Sequence, residues 1–188
     1  MSVLLVCTLT VALAEIGDRT QLLAMVLAAR WRRPWTILAG ILAATLANHA
    51  LAAGAGFLVT DLLAGRPVRV LIALAFIAMA AWTLIPDKLD AAPDGARPAK
   101  GVFTGTLIAF FLVEMGDKTQ IATVALAARF QDIAWVTLGT TAGMMIANAP
   151  AVFAGPALLK IAPLRLVRFG AAAVFFLTGV WALREALA

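Results

Sequence analysis

Apolar residues fill six long stretches of this chain, and short polar segments separate the stretches. A membrane-spanning helix needs about 20 mostly apolar residues, because each residue advances the helix by about 1.5 Å. The pattern therefore predicts an all-α integral membrane protein with six transmembrane helices. We place these helices at residues 3–28, 35–60, 67–85, 102–128, 134–159 and 164–186.

The composition agrees with this prediction. Of the 188 residues, 63% are hydrophobic and only 13% are charged, and the mean hydropathy is +0.99. Soluble domains contain about 45–50% apolar residues, so the chain is not expected to be a soluble domain. The net charge of +5 does not indicate nucleic-acid binding, since the basic residues stand between the apolar stretches. With Cys7 as its one cysteine, the chain cannot form an internal disulfide or a thiolate metal cluster.

The second half of the sequence repeats the first. Residues 15–30 align with residues 114–129 at a constant offset of 99, and Asn48 matches Asn148 at an offset of 100. This predicts a first three-helix repeat at 1–85, a linker at 86–101 and a second three-helix repeat at 102–188. Because three is an odd number, the second repeat must cross the membrane in the opposite direction. We therefore expect two inverted repeats, with a substrate site where they meet near the membrane midplane.

The distribution of Lys and Arg predicts the orientation of the chain. Nine of the fifteen basic residues fall on the side of the first, third and fifth loops, and four fall on the other side. The positive-inside rule assigns the more basic side to the cytoplasm. We therefore expect a cytoplasmic linker and both termini outside.

One acidic motif occurs in both repeats, each time in the middle of an apolar stretch. It reads EIGDRTQ at residues 15–21 and EMGDKTQ at residues 114–120. A carboxylate at the centre of a membrane helix costs about 2.5–3.5 kcal/mol on insertion scales, so it is rarely kept without a function. In a continuous helix, residues three apart share a face. We expect these faces to meet and to bring four carboxylates together, from Glu15, Asp18, Glu114 and Asp117.

Such an oxygen-rich, anionic site suits Ca²⁺ or Mn²⁺. The side chains that could complete the metal shell are Thr20, Gln21, Thr119 and Gln120.

Arg19 and Lys118 follow the two motif aspartates directly, too deep to reach the membrane surface easily. Each is expected to pair with an acidic group. Four carboxylates and two cations leave a local charge of −2, which one divalent ion or two protons would neutralise. Protons should therefore compete with the metal, and this competition predicts an exchanger. Gly17 and Gly116 weaken each helix by about 1 kcal/mol relative to Ala and could let the backbone open.

At these residues the chain resembles a family of small cation/proton exchangers. The family includes the Golgi calcium and manganese transporters, transmembrane protein 165 and the bacterial manganese exporters. Its motif is Glu-x-Gly-Asp-(Lys/Arg)-(Thr/Ser), and both copies match it at every fixed position. The resemblance covers nearly the whole chain. It implies export of Mn²⁺ or Ca²⁺ against protons, the four motif carboxylates as ligands, and no enzymatic cofactor.

The Ala- and Arg-rich composition is typical of a bacterial protein, so we expect Mn²⁺ efflux across an inner membrane. Three alternatives stay open: export of a small organic cation or amino acid, a passive cation channel, and motif ion pairs that only hold the helices together. An intramembrane protease is disfavoured because the chain has no tyrosine. Asn48 and Asn148 either bond between helices or support the cation path. His49, matched by Ala149, is expected to pack or to sense protons.

Overall fold

The structure is a computed structural model, and it describes residues 2–62, 65–85, 101–155 and 164–188. These ranges hold eight α-helices, which confirms the all-α fold class. The helices are α1 (Val3–Glu15), α2 (Arg19–Trp31), α3 (Pro34–Leu62), α4 (Arg66–Thr83), α5 (Gly101–Glu114), α6 (Lys118–Phe130), α7 (Ile133–Ala154) and α8 (Leu164–Leu187). Of the predicted linker at 86–101, all but Gly101 lies outside the described residues, and Gly101 begins α5.

Four segments are long and apolar enough to cross a membrane: Pro34–Thr60, Arg66–Thr83, Ile133–Ala154 and Arg165–Leu187. They correspond to the second, third, fifth and sixth predicted helices. The fifth ends at Ala154, where Gly155 at φ +59° caps it, and the remaining predicted residues to 159 lie outside the described ranges.

The predicted segments at 3–28 and 102–128 are helical but interrupted, at the glycines where the sequence left an opening of the backbone possible. Each of these stretches forms two shorter helices that break at the acidic motif, α1 with α2 and α5 with α6. The motif glycines lie in the left-handed region of backbone conformation, with φ +81° at Gly17 and +78° at Gly116. This region is accessible to glycine without the steric cost that a Cβ brings. Asp18 and Asp117 then take up extended conformations as the N-caps of α2 and α6.

The two central helices are α3 and α7. Their candidate spans are 56% and 61% buried, against 33% for α4 and 28% for α8, which pack on each other at the periphery. α5 packs on α3, and α1 packs on α7. A Cβ added at Gly40 would lie 2.7 Å from the Cβ of Thr106, and one added at Gly139 would lie 2.7 Å from the Cβ of Cys7. Glycine therefore permits close approach at both contacts.

At one end of this central pair, the start of α3 meets the end of α7. The rings of Trp35 and Phe153 form an edge-to-face contact there, with centroids 5.2 Å apart. This geometry is favourable for aromatic pairs. The contact marks the arrangement of α3 and α7 in this structure.

Candidate metal site at two broken helices

The two helix breaks have the same local construction. The amide of Asp18 donates to the carbonyl of Glu15 at 3.0 Å, and the amide of Asp117 donates to the carbonyl of Glu114 at 3.0 Å. Each glutamate is the last residue of its half-helix, and each aspartate precedes the first residue of the next. A motif therefore presents one carboxylate at a helix C-terminus and one at a helix N-terminus. A continuous helix would present neither.

Three carboxylates meet between the breaks. Glu15, Glu114 and Asp117 each offer an oxygen, and these oxygens all lie within 4.8 Å of one another. Both glutamates are 0% exposed and Asp117 is 3% exposed. In the part of the chain that the structure describes, the Oε1 atoms of Glu15 and Glu114 have no hydrogen-bond partner. Buried acceptors without a donor are rare in proteins, and a bound ion or water is one explanation for them.

Threonine hydroxyls hold the other oxygens of these glutamates. Thr20 Oγ1 donates to Glu15 Oε2 at 2.6 Å, and Thr119 Oγ1 lies 3.3 Å from Glu114 Oε2. Thr119 Oγ1 also lies 3.3 Å from an oxygen of Asp117. Both threonines are buried beside the carboxylates, and their role as metal ligands stays a prediction. A hydroxyl used as a donor to a carboxylate orients that carboxylate.

The basic residues of the motif form crossed ion pairs. Arg19 Nη2 lies 2.7 Å from Asp117 Oδ1, and the ammonium group of Lys118 is paired with Asp18. Each cation therefore neutralises the aspartate of the other motif. The Lys118 side chain is 4% exposed, whereas that of Arg19 is 34% exposed. Asp18, the fourth carboxylate of the predicted quartet, is held by this ion pair beside the group of three.

The motif glutamines bind the glycine turns. Gly17 N donates to Gln21 Oε1 at 2.8 Å, and Gly116 N donates to Gln120 Oε1 at 2.6 Å. The sequence suggests these amide oxygens as metal ligands, but the structure directs them to backbone amides that the helix break leaves without a helical partner. No feature of the sequence signals this use.

The matched asparagines are both fully buried but differ in their contacts. Asn48 Oδ1 accepts from Gln120 Nε2 at 2.9 Å, and Asn48 Nδ2 donates to the carbonyl of Phe111 at 3.0 Å. Asn148 Nδ2 instead donates to the carbonyl of Met144 in its own helix, at 3.1 Å. His49 is also 0% exposed. Neither of its ring nitrogens has a hydrogen-bond partner within the described ranges.

This arrangement can bind a hard cation. Four carboxylates and two cations leave a charge of −2, and the oxygens that meet belong to the ligand type that Mn²⁺, Ca²⁺ and Mg²⁺ prefer. Acidic groups buried in a membrane protein are expensive, and they typically mark an ion pathway. The helical fold and the buried acidic site thus define a class of protein, a membrane transporter of cations.

Comparison with known proteins identifies the family. Residues 3–91 and 102–188 match the family described as "Divalent cation/proton antiporter GDT1". The chain belongs to this family. It is therefore a transporter and not an enzyme, and the family requires no catalytic cofactor.

Relatives from bacteria and plants share the sequence along most of its length. The chain is 49% identical over 178 residues to a Vibrio cholerae protein named "Putative manganese exporter", covering 94% of this chain and 88% of that protein. It is 30% identical to "GDT1-like protein sll0615" of Synechocystis, over 78% of this chain and 80% of that protein. It is 28% identical to "GDT1-like protein 4" of Oryza sativa, over 77% of this chain and 60% of that protein. No solved structure matches the chain.

Proposed function

We propose that this protein exports Mn²⁺ across a bacterial inner membrane in exchange for protons, with Ca²⁺ as the alternative substrate. The observation that carries the proposal is the group of three buried carboxylates, whose oxygens lie within 4.8 Å of one another. Membership of the divalent cation/proton antiporter family supports the reaction type. The name of the Vibrio cholerae relative supports the choice of Mn²⁺ and of a bacterial membrane.

In this proposal Glu15, Glu114 and Asp117 supply the first ligands. Asp18 joins them when Lys118 releases it, which completes the quartet. Thr20 and Thr119 orient the glutamates through their hydroxyls. Gln21 and Gln120 keep the glycine turns in shape, so that the carboxylates stay aimed at the ion.

Charge balance explains why metal and protons exchange. The site carries −2 when its four carboxylates and two cations are all charged, so it is neutral with either one divalent ion or two protons. A buried site with net charge is unstable in the low-dielectric interior of a membrane. We therefore propose that the carrier changes its access only in these two neutral forms, which couples export of one metal ion to entry of two protons.

The proposed architecture counts each broken pair as one membrane crossing. α1 and α2 have 13 residues each, and α5 and α6 have 14 and 13. A half-helix of 13 residues is about 20 Å long, too short for a hydrocarbon core of about 30 Å, but two in series reach across it. With the four long helices this gives six crossings and places both breaks near the midplane.

The matching contacts of α1 on α7 and of α5 on α3 support two inverted repeats at 1–85 and 102–188. Cys7 contacts Gly139 in the first of these pairs, and Thr106 contacts Gly40 in the second. Thr106 follows Cys7 by 99 residues and Gly139 follows Gly40 by 99, which is the offset between the two acidic motifs. The distribution of Lys and Arg supports a cytoplasmic linker at 86–101 and both termini outside.

The purified protein in liposomes with a trapped pH-sensitive dye provides the test. A Mn²⁺ gradient should drive protons in the opposite direction, and a lysine gradient should not. Glu15→Gln and Asp117→Asn should each abolish this proton movement. Glu185→Gln is the matched control, because the Glu185 side chain is 48% exposed and lies outside the motif.

Several outcomes would contradict the proposal. Mn²⁺ flux without proton movement would indicate a channel, and lysine flux would indicate an organic-cation exporter. Proton-coupled Mn²⁺ flux that survives both motif substitutions would mean that the ion binds elsewhere. The same measurement with a Ca²⁺ gradient shows which of the two metals drives the faster proton movement.

A further inference from the structure

A cavity lies at the ends of four helices, apart from the acidic motifs. Its volume is about 240 Å³, and it is enclosed by the end of α3, the start of α4 and the ends of α6 and α8. Its polar lining consists of Thr60, Arg69, Arg129, Gln131 and Glu185. Arg129 stands near the end of α6 and Lys118 at its start, so about 16 Å of helix separates the cavity from the candidate metal site.

The lining carries an excess of positive charge. Arg69 and Arg129 contribute two cations, and Glu185 is the one acidic residue of the lining in the part of the chain that the structure describes. Two cations and one anion leave +1, which is opposite in sign to the −2 of the acidic site. The cavity therefore repels a divalent cation and attracts an anion.

Arg129 is held in place with part of its guanidinium group still available. Its Nη2 atom pairs with Glu185, and its Cζ atom lies 4.8 Å from the centre of the Trp181 ring in a cation–π contact. A guanidinium group has five N–H donors. The Nε atom of Arg129 is buried and has no hydrogen-bond partner among the described residues. A buried donor without an acceptor calls for an explanation.

The other polar groups of the lining differ in whether they are already engaged. Thr60 Oγ1 donates to the carbonyl of Ala128 at 3.2 Å, and Gln131 Nε2 donates to the same carbonyl at 3.1 Å. The Arg69 side chain takes part in none of the ion pairs within the described ranges. Arg69 also lies in the first turn of α4, where the helix dipole adds partial positive charge. The two arginines are thus the groups that remain for a ligand.

We propose that this cavity binds the phosphate group of an anionic phospholipid, with Arg69 and Arg129 as its hydrogen-bond donors. The planar guanidinium group matches the spacing of phosphate oxygens, and arginine is the side chain favoured for this contact. A phosphate with one negative charge neutralises the +1 of the lining. Basic pockets between membrane helices are typical sites for lipid headgroups.

The position of the cavity favours a lipid over free phosphate. It lies where two candidate membrane spans end, at the start of α4 and the end of α8. Such ends lie at the level of the headgroups, because the hydrocarbon core is only about 30 Å thick. Trp181, which packs on Arg129, is 50% exposed, as is typical of tryptophan at the membrane surface. Ile72 and Ala182 supply an apolar wall for the glycerol group and the first acyl carbons.

A bound phosphate would connect helices of the two repeats. Arg69 lies on α4 and Arg129 on α6, the helix whose first residue, Lys118, pairs with Asp18. Lipid binding should therefore stabilise the packing of α4 on α6 and raise the melting temperature of the protein. The inference goes beyond the proposed function and does not depend on it, since it involves neither the transported ion nor the motif carboxylates.

Native mass spectrometry of the purified full chain in detergent tests the lipid site. Titration with phosphatidylglycerol should show one copy bound more tightly than phosphatidylcholine. Arg69→Gln should weaken this binding by about tenfold or more, and Arg69→Lys, which keeps the charge but loses the planar group, should weaken it less. Glu185→Gln should strengthen it, because the carboxylate that competes for Arg129 is gone. Arg184→Gln is the matched control, since Arg184 is an exposed residue in the last turn of α8 outside the lining.

Three outcomes would overturn the proposal. Equal losses in Arg69→Gln and Arg184→Gln would mean that the lipid responds only to overall charge. Equal binding of phosphatidylcholine and phosphatidylglycerol would exclude an anionic lipid as the preferred ligand. Displacement of the lipid by inorganic phosphate at similar concentration would indicate a site for free anions. If phosphatidylglycerol binds as expected to a protein that does not exchange Mn²⁺ for protons, the lipid site stands and the proposed function fails.

Discussion

The crossed ion pairs predict how much stability the protein loses when either motif cation is removed. Lys118 and Asp18 are both buried, with side chains 4% and 0% exposed, whereas the Arg19 side chain is 34% exposed. Lys118→Gln removes a buried cation and Arg19→Gln removes a partly exposed one, but each leaves behind an aspartate whose side chain is at most 4% exposed. The two substitutions change the same charge in equivalent positions of the two motifs. They should nevertheless differ clearly in their effect on stability.

The expected difference follows from desolvation. Removing one partner of a buried ion pair leaves a buried charge without compensation, at a cost of about 3–5 kcal/mol. Removing Arg19 also leaves a buried carboxylate, that of Asp117, but it should cost less, about 1–3 kcal/mol, because water reaches the Arg19 side of the pair and Thr119 still lies within bonding distance of Asp117. For a chain of this size about 1 kcal/mol shifts the melting temperature by about 2–4 °C. Lys118→Gln should therefore lower it by about 6–20 °C, and Arg19→Gln by about 2–12 °C.

The assay can use the protein's own reporter. Cys7 is the one cysteine of the sequence and is 0% exposed, so a thiol-reactive fluorogenic dye should respond only when the helices separate. The double variant Asp18→Asn with Lys118→Gln removes both charges and should recover most of the lost stability, yet remain inactive in transport. Equal destabilisation by the two single variants, or a double variant no more stable than Lys118→Gln, would refute the assignment of the buried pair.

Two further predictions concern pH and helix packing. Because protons and metal share the carboxylates, the KM for Mn²⁺ should rise as pH falls, by about tenfold per pH unit for each proton displaced. Mn²⁺ uptake at several pH values measures this dependence, and a KM independent of pH would exclude the competition. Gly143→Ala should destabilise the protein by about 1–3 kcal/mol, since its Cβ would lie 2.6 Å from the carbonyl oxygen of Thr8. Gly54→Ala, with no atom within 4 Å, should be neutral or stabilising by up to about 1 kcal/mol in the same dye assay.

The sequence predicts the helices well where a single physical cause decides them. The long apolar stretches predict α3, α4 and α8 to within two residues at each end, because burial in lipid leaves the backbone no alternative to a helix. The acidic motif itself also predicts the location of the candidate site, since buried carboxylates are costly. Both inferences depend on residues near one another in the chain.

The helix breaks were harder to predict because their cause is mostly not local. A glycine costs a helix only about 1 kcal/mol, which neighbouring residues usually outweigh. What stabilises the open turn is a set of contacts from elsewhere in the fold. Arg19 pairs with a carboxylate 98 residues away, and Gln21, which binds the Gly17 amide, is anchored to a carbonyl 126 residues away. Spacing within the motif contains no information about these partners.

The helix breaks also place the two glutamates and the two aspartates in different electrostatic environments. Each helix terminus carries a partial charge of about half a unit, negative at the C-terminus and positive at the N-terminus. Glu15 and Glu114 end their half-helices, so the helix field disfavours their negative charge and favours a cation beside them. Asp18 and Asp117 stand at N-caps, where the field favours the anion, and a cation of the other motif already balances each. The glutamates are thus the acids whose charge most needs a metal ion or a proton, and continuous helices would supply no such termini at the site.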